Sequence, residues 1–403
     1  MDFHNLLSLL PRLGRYSITA GSGFSILKPQ YTNNIKSNRK EVFPLTLMHN
    51  SIYKVILISL LAMPAVMPVL LSKVQAADHD SFVLGTLEFS TSAEGEAQEK
   101  FVAGVKALHS FWYEQARELF QEAQALDPAF GMAYWGEAMS FDNALGTVFD
   151  TDYESRGEAL LVKMVILDEA SSLRWNEKEQ LWFEAVKQRY APGVSQVNRR
   201  RNYGRAVEGL LEQHPQDDEA KVFAALAVMS FPGFDREQAG HVVLAAAPLE
   251  EVYERNPEHP GALHYLIHVY DTPTFALLAM RQASRYGGVA SSAPHAIHMP
   301  SHIYKHLGML DDMLLANITS WIVSVEWQRT TNRPIHMRDF HTLSWLLDTY
   351  LLMGDNDRAR QLMVDLADME RAIADNNEDR AHFPETAARL RGTFMNNTGE
   401  ILP

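Results

Sequence analysis

A spacing of 34 residues links two histidine-bearing stretches and limits what this chain can fold into. HPGALHYLIHVYD carries His264 and His268; PHAIHMPSHIYKH carries His298 and His302, each 34 positions after its counterpart. Helical periodicity recurring at a fixed interval of 20–50 residues signals stacked two-element units rather than one layered core. Such a unit cannot bury its apolar face alone, so the units must stack.

The register extends along the chain. FVAGVKALHSFWYEQARELFQEAQALDPAFGMAYWGEAM resembles the tetratricopeptide repeat, a pair of antiparallel helices. With residue 97 as position 1, Gly104 falls at 8, Ala116 at 20, Phe120 at 24, Ala123 at 27 and Pro128 at 32. The next unit places Ala138 at position 8, after which the pattern dissolves into an insertion near 144–175. A unit from 226 restores it with Ala245, Leu249 and Pro257, and units follow from 260, 294 and 340. The last has Leu347, Gly354, Ala359 and Met363 at positions 8, 15, 20 and 24. The expected fold is an all-α, right-handed superhelical solenoid with the first helix of each pair lining its inner surface.

The N-terminal part follows another logic. From Met48, MHNSIYK precedes the apolar VILISLLAMPAVMPVLL and then SKVQAADHD, the anatomy of an export signal cleaved after Ala76 or Ala77. Residues 1–47 read as an over-extended start, 48–77 as the signal, 85–175 as the first repeats with the insertion, 176–373 as the later repeats, and 374–403 as a capping helix with a polar tail. The formal charge is −14, and removing 1–77, with eight Lys/Arg and two Asp/Glu, makes it −20. Such an acidic chain is unsuited to nucleic acid, whose phosphates need a basic surface. There are no cysteines, so a metal here must be held by nitrogen or oxygen. The expected location is periplasmic or secreted, with no stable membrane span after signal removal.

The register turns the histidines into a lattice. His264 and His298 share position 5; His268 and His302 share position 9. Within each helix the pair lies one turn apart on one face, so four imidazoles are expected as a two-by-two patch. Asp271 lies on the same face, His295 extends the stripe, and His306 closes its other end. Pro300 interrupts the second helix and should kink it between His298 and His302. Asn317 stands where an apolar residue is expected and is placed to orient a ring nitrogen, as is His306. His109, Trp135 and Asp142 are expected along the first half of the groove, and His341 at the far side of the lattice. The same spacing also arises when a histidine is simply copied with its repeat.

HPGALHYLIHVYD and APHAIHMPSHIYKHLG, with DPAFGMAYWGEAM before and FHTLSWLLDTYLLMG after, resemble a group of exported bacterial tetratricopeptide-repeat proteins with no established reaction. The resemblance spans most of 85–370 and implies the solenoid and export. NALG at 143–146, His306 and Ser344 depart from the group's pattern. Two functions fit. In one, the histidine-lined groove binds a peptide, a protein or a small ligand. In the other, His264, His268, His298 and His302, with Asp271 and His295 near, hold zinc or copper, whether or not an enzyme results.

Overall fold

The computed structural model describes residues 82–146, 152–373 and 383–401; the expected signal and the segment before it lie outside them. From Val83 onward these residues belong to one compact unit. They form α-helices joined by short turns, with no β-strand among the described residues beyond an isolated Phe130–Arg174 bridge. The fold is an all-α, tetratricopeptide-like solenoid, as the register requires.

Consecutive helices pack in pairs. Helices α1 (Gly95–His109), α2 (Tyr113–Leu126) and α3 (Gly131–Met139) form the first one and a half units. Gly104 and Gly136 let the Phe120 ring lie between α1 and α3, because a Cβ at either would meet that ring at 2.7 or 2.3 Å. The insertion is itself partly helical: α4 (Tyr153–Glu169) packs on α3. Helices α5 (Glu177–Arg189), α6 (Gln196–Gln213), α7 (Asp218–Met229), α8 (Ala239–Arg255) and α9 (Pro260–Val269) then pack each on the next. Local chemistry sets several starts. Asn176 and Glu179 form a capping box on α5, and Asp217 caps α7 through the Ala220 N–H. His259 caps α9, its Nδ1 accepting from the Ala262 N–H, and Pro260 supplies the preset φ of the first turn.

Helix α10 (Met280–Val289) leads to the second histidine stretch, where Pro300 has the expected effect. The helix is split into α11 (Pro294–His298) and α12 (Pro300–His306). Helix α13 (Leu310–Thr330) covers both, and α14 (Phe340–Leu352), α15 (Asn356–Ile373) and α16 (Phe383–Thr398) complete the unit. Their core includes Leu347, Tyr350, Leu366 and Leu390.

One departure from an open solenoid decides the site. Helix α1 touches α9 across more than 150 residues of chain, with His109 Nδ1 3.0 Å from the Tyr265 hydroxyl. The start of α2 also meets the end of α13, where Trp112 and Trp327 pack edge to face at 5.4 Å and Trp327 Nε1 donates to Gln115. The inner surface therefore closes over, and the expected open groove becomes interior.

Candidate metal centre

Helix α9 has all ten residues buried, so its histidines are core residues. His264 and His298 are 0% exposed, His268 5%, His295 and His302 8%. Unpaired polar atoms cost about 1–3 kcal/mol each at such depth, so each ring's hydrogen bonds need accounting.

The rings gather as two trios, not as the expected two-by-two patch. His264, His268 and His295 each offer one nitrogen within 4.8 Å of the others, and His298, His302 and His341 do the same. His295 and His298, one turn apart on α11, divide between them. His295 faces α9, with its ring 5.0 Å from that of His264, and His298 faces His341 at 4.8 Å. His341 on α14 is thus inside the cluster and not merely beside it. The trios adjoin, with the His268 and His302 rings 5.9 Å apart and those of His295 and His298 5.7 Å apart.

Hydrogen bonds on the outer nitrogens fix which inner nitrogen carries a lone pair. The Thr349 hydroxyl donates to the Trp345 carbonyl, so its oxygen accepts from the Asn317 amide NH2. Asn317 must then present its carbonyl oxygen to His298 Nδ1, which donates at 2.7 Å. His302 Nδ1 donates to the Asp271 carboxylate at 2.9 Å. The Nε2 atoms of His298 and His302 then face each other at 3.1 Å. In the other trio His264 Nδ1 donates to the His109 carbonyl at 2.6 Å, leaving Nε2 as the acceptor. His264 Nε2, His268 Nε2 and His295 Nε2 are buried without a hydrogen-bond partner.

Burial disfavours the charged form of His264, His268, His295, His298 and His341. Burial, with the neighbouring imidazoles, pushes His264 down to about 3, and burial likewise pushes His341 to about 3. Burial first and neighbouring rings second hold His268, His295 and His298 well below the ordinary histidine value. Neutral imidazole is the form that ligates a metal.

Asp271, expected among the ligands, lies behind two of the histidines. Its Oδ2 accepts from His302 Nδ1 and its Oδ1 from His306 Nε2, both at 2.9 Å, so both oxygens are engaged. Burial would raise this carboxyl, but those two histidines hold it at about 2.

The expected groove wall is also corrected. Trp135 is fully buried against Phe89, Phe101, Trp182 and Phe223, a packing role. Asp142 is ion-paired with Arg189 and Arg200. His109 is buried in a third group, where its Nε2 and that of His259 lie 2.8 and 3.0 Å from the two oxygens of Glu219. That group is saturated: His109 Nδ1 meets the Tyr265 hydroxyl, and His259 Nδ1 takes the α9 cap. Its link to the centre is the His109 carbonyl.

No family model matches the chain, and no curated protein matches it in sequence. Among solved structures it is similar to the crystal structure of the yeast Tom70, at 11% identity over 73% of this chain and 90% of that chain. The TM-score is 0.16, which carries no argument. The fold assignment rests on the helices themselves.

Three residues at the centre escape a reading of the histidines alone. Phe111 packs on the whole first trio, with ring centroids 4.4, 5.9 and 5.5 Å from His264, His268 and His295. It does so at φ +52°, in the left-handed region a bulky side chain rarely adopts. Phe111 occupies position 15 of its repeat, where Gly308 and Gly354 take φ +70° in theirs. A Phe where the register calls for Gly was the available signal. Trp345 packs at a tilt against His302 with centroids 4.1 Å apart, and Lys305 Nζ lies 4.7 Å from its ring centroid. Glu219, in an ordinary acidic first turn of α7, gave no signal.

Proposed function

We propose that this chain is an exported metal protein in which the two histidine trios bind zinc or copper ions. The observation that carries the reading is the 3.1 Å approach of His298 Nε2 to His302 Nε2 with both Nδ1 atoms committed as donors. Two nitrogens that close need a positive centre shared between them, which a metal ion supplies and which a proton on one ring would supply in its absence. His264, His268 and His295 each bring a ring nitrogen within 4.8 Å of the others, and each has a buried Nε2 without a partner, which supports the same conclusion. Ring orientation by a carbonyl, an amide or a carboxylate on the outer nitrogen is the usual accompaniment of metal-ligating histidine.

The alternative, recognition of a peptide or protein along a histidine-lined groove, is disfavoured because five of these rings are at most 8% exposed. A partner protein, which solenoids of this class commonly bind, would meet other surfaces. Export to a periplasmic or extracellular location is supported by the signal-like stretch at 48–77.

Elemental analysis of protein purified without a histidine tag tests the reading. Stoichiometric zinc or copper, lost in the His268→Ala/His302→Ala double variant, is the expected result. Protein that holds no transition metal after dialysis against either ion, with the helical fold intact, would overturn it.

A further inference from the structure

The donor set and the buried charges around it specify the ion more narrowly. We propose that the two trios hold an adjacent pair of monovalent copper ions, an inference that rests on the metal-binding reading above.

The first ground is the ligands. All six donors are imidazole nitrogens, and no thiolate is available in a chain without cysteine. Each oxygen of Asp271 and Glu219 already meets a histidine nitrogen. Both Asp271 oxygens are taken by His302 and His306, and both Glu219 oxygens by His109 and His259. Each ion therefore gains three neutral donors and no anion from the protein. Zinc takes four ligands as a rule, whereas monovalent copper is stable with three nitrogen donors.

The second ground is charge. Glu219 is 1% exposed, and among the described residues no lysine or arginine pairs with it. Its two histidines can satisfy it while neutral, each donating Nε2–H and accepting at Nδ1. A buried anion thus stands behind the first trio, one residue away through the His109 carbonyl that holds His264. Asp271 stands behind the second trio, directly on His302. One negative charge per trio matches one monovalent ion per trio.

A divalent pair would bring twice that charge into a buried, low-dielectric site, where uncompensated ions are costly. The basic groups at the rim sharpen this. Arg236 donates to the His268 carbonyl, Lys305 lies over Trp345, and Arg389 acts on His341. Asp348, facing Lys305 and Arg389, offsets part of that positive charge.

The third ground is adjacency. Rings of the two trios approach to 5.7 Å at His295–His298 and at His295–His341, so the two ions would be neighbours.

Anaerobic titration of the untagged, metal-free chain with copper(I) against a chromophoric chelator, with zinc in a parallel arm, tests this. Two copper(I) per chain are expected, bound at least about tenfold more tightly than zinc. Glu219→Gln and Asp271→Asn, checked for retained helicity, should each weaken copper(I) by about tenfold or more, the effect of removing one nearby buried charge. One ion per chain, tighter zinc than copper(I), or unchanged copper(I) affinity in both folded variants would overturn the proposal while leaving metal binding intact. Failure to bind either ion would instead overturn the reading on which it rests.

Discussion

His298 and His302 face each other through Nε2 atoms 3.1 Å apart, each held from behind, one by the Asn317 carbonyl and the other by the Asp271 carboxylate. The arrangement assigns separable jobs to the residues around it.

Asn317 should act on metal affinity more than on folding. Asn317→Leu fills the position with a side chain of similar size but leaves His298 Nδ1 only the longer 3.3 Å contact to the Ser301 hydroxyl, which can donate or accept, so either tautomer becomes open to the ring. Affinity should fall about 10–100-fold, as is usual when the group orienting a ligating histidine is lost. Competition titration checks this, and Asn317→Asp, which restores an acceptor, should recover most of the loss.

His259 has a larger structural role than its position in a loop suggests. Its ring caps α9 and holds one oxygen of the buried Glu219. His259→Ala should cost about 2–4 kcal/mol, combining a lost cap with an under-satisfied buried carboxylate. Denaturant unfolding of the metal-free protein measures it.

Phe111 stores backbone strain to seal the first trio. A bulky residue at φ +52° costs of order 1–3 kcal/mol, whereas Gly308 and Gly354 take the equivalent conformation freely. Phe111→Gly should relieve the strain yet admit water onto His264, His268 and His295. Stopped-flow chelation should show faster metal release with unchanged stoichiometry.

Acid should destabilise the metal-free protein. His264 and His341 titrate near 3 in the folded state against 6.5 for the ordinary group, so the unfolded chain binds more protons between those values. Their stabilising effect is complete above about 6.5 and is lost as pH falls toward 3, at about 1.4 kcal/mol per pH unit for each histidine. Glu219 and Asp271, held at about 2, add loss in the same direction below the ordinary carboxylate range. Melting temperature followed from pH 7 to pH 4 should fall steadily, and bound metal should delay the fall.

The repeat register in the sequence was enough to place His264 and His268 on one helix and His298 and His302 on the next, with Pro300 between. Those are local consequences of helical spacing. The grouping into trios was not legible, because it depends on closure of the solenoid. Contact between α1 and α9 brings the His109 carbonyl to His264, and packing of α14 brings His341 to His298. Neither contact has a signature in local periodicity. The same closure explains why an expected groove wall at His109 and Trp135 is interior. Asp271 was placed on the right face, but only the positions of His302 and His306 show that its oxygens are already engaged.

The central claim is that these imidazoles ligate metal, and X-ray absorption at the K edge of the bound ion tests it most directly. The account expects a first shell of nitrogen at about 2.0–2.1 Å, with the outer-shell scattering of about three imidazole rings per ion. A shell of oxygen alone without imidazole scattering, or a spectrum unchanged in the His268→Ala/His302→Ala variant, would contradict it.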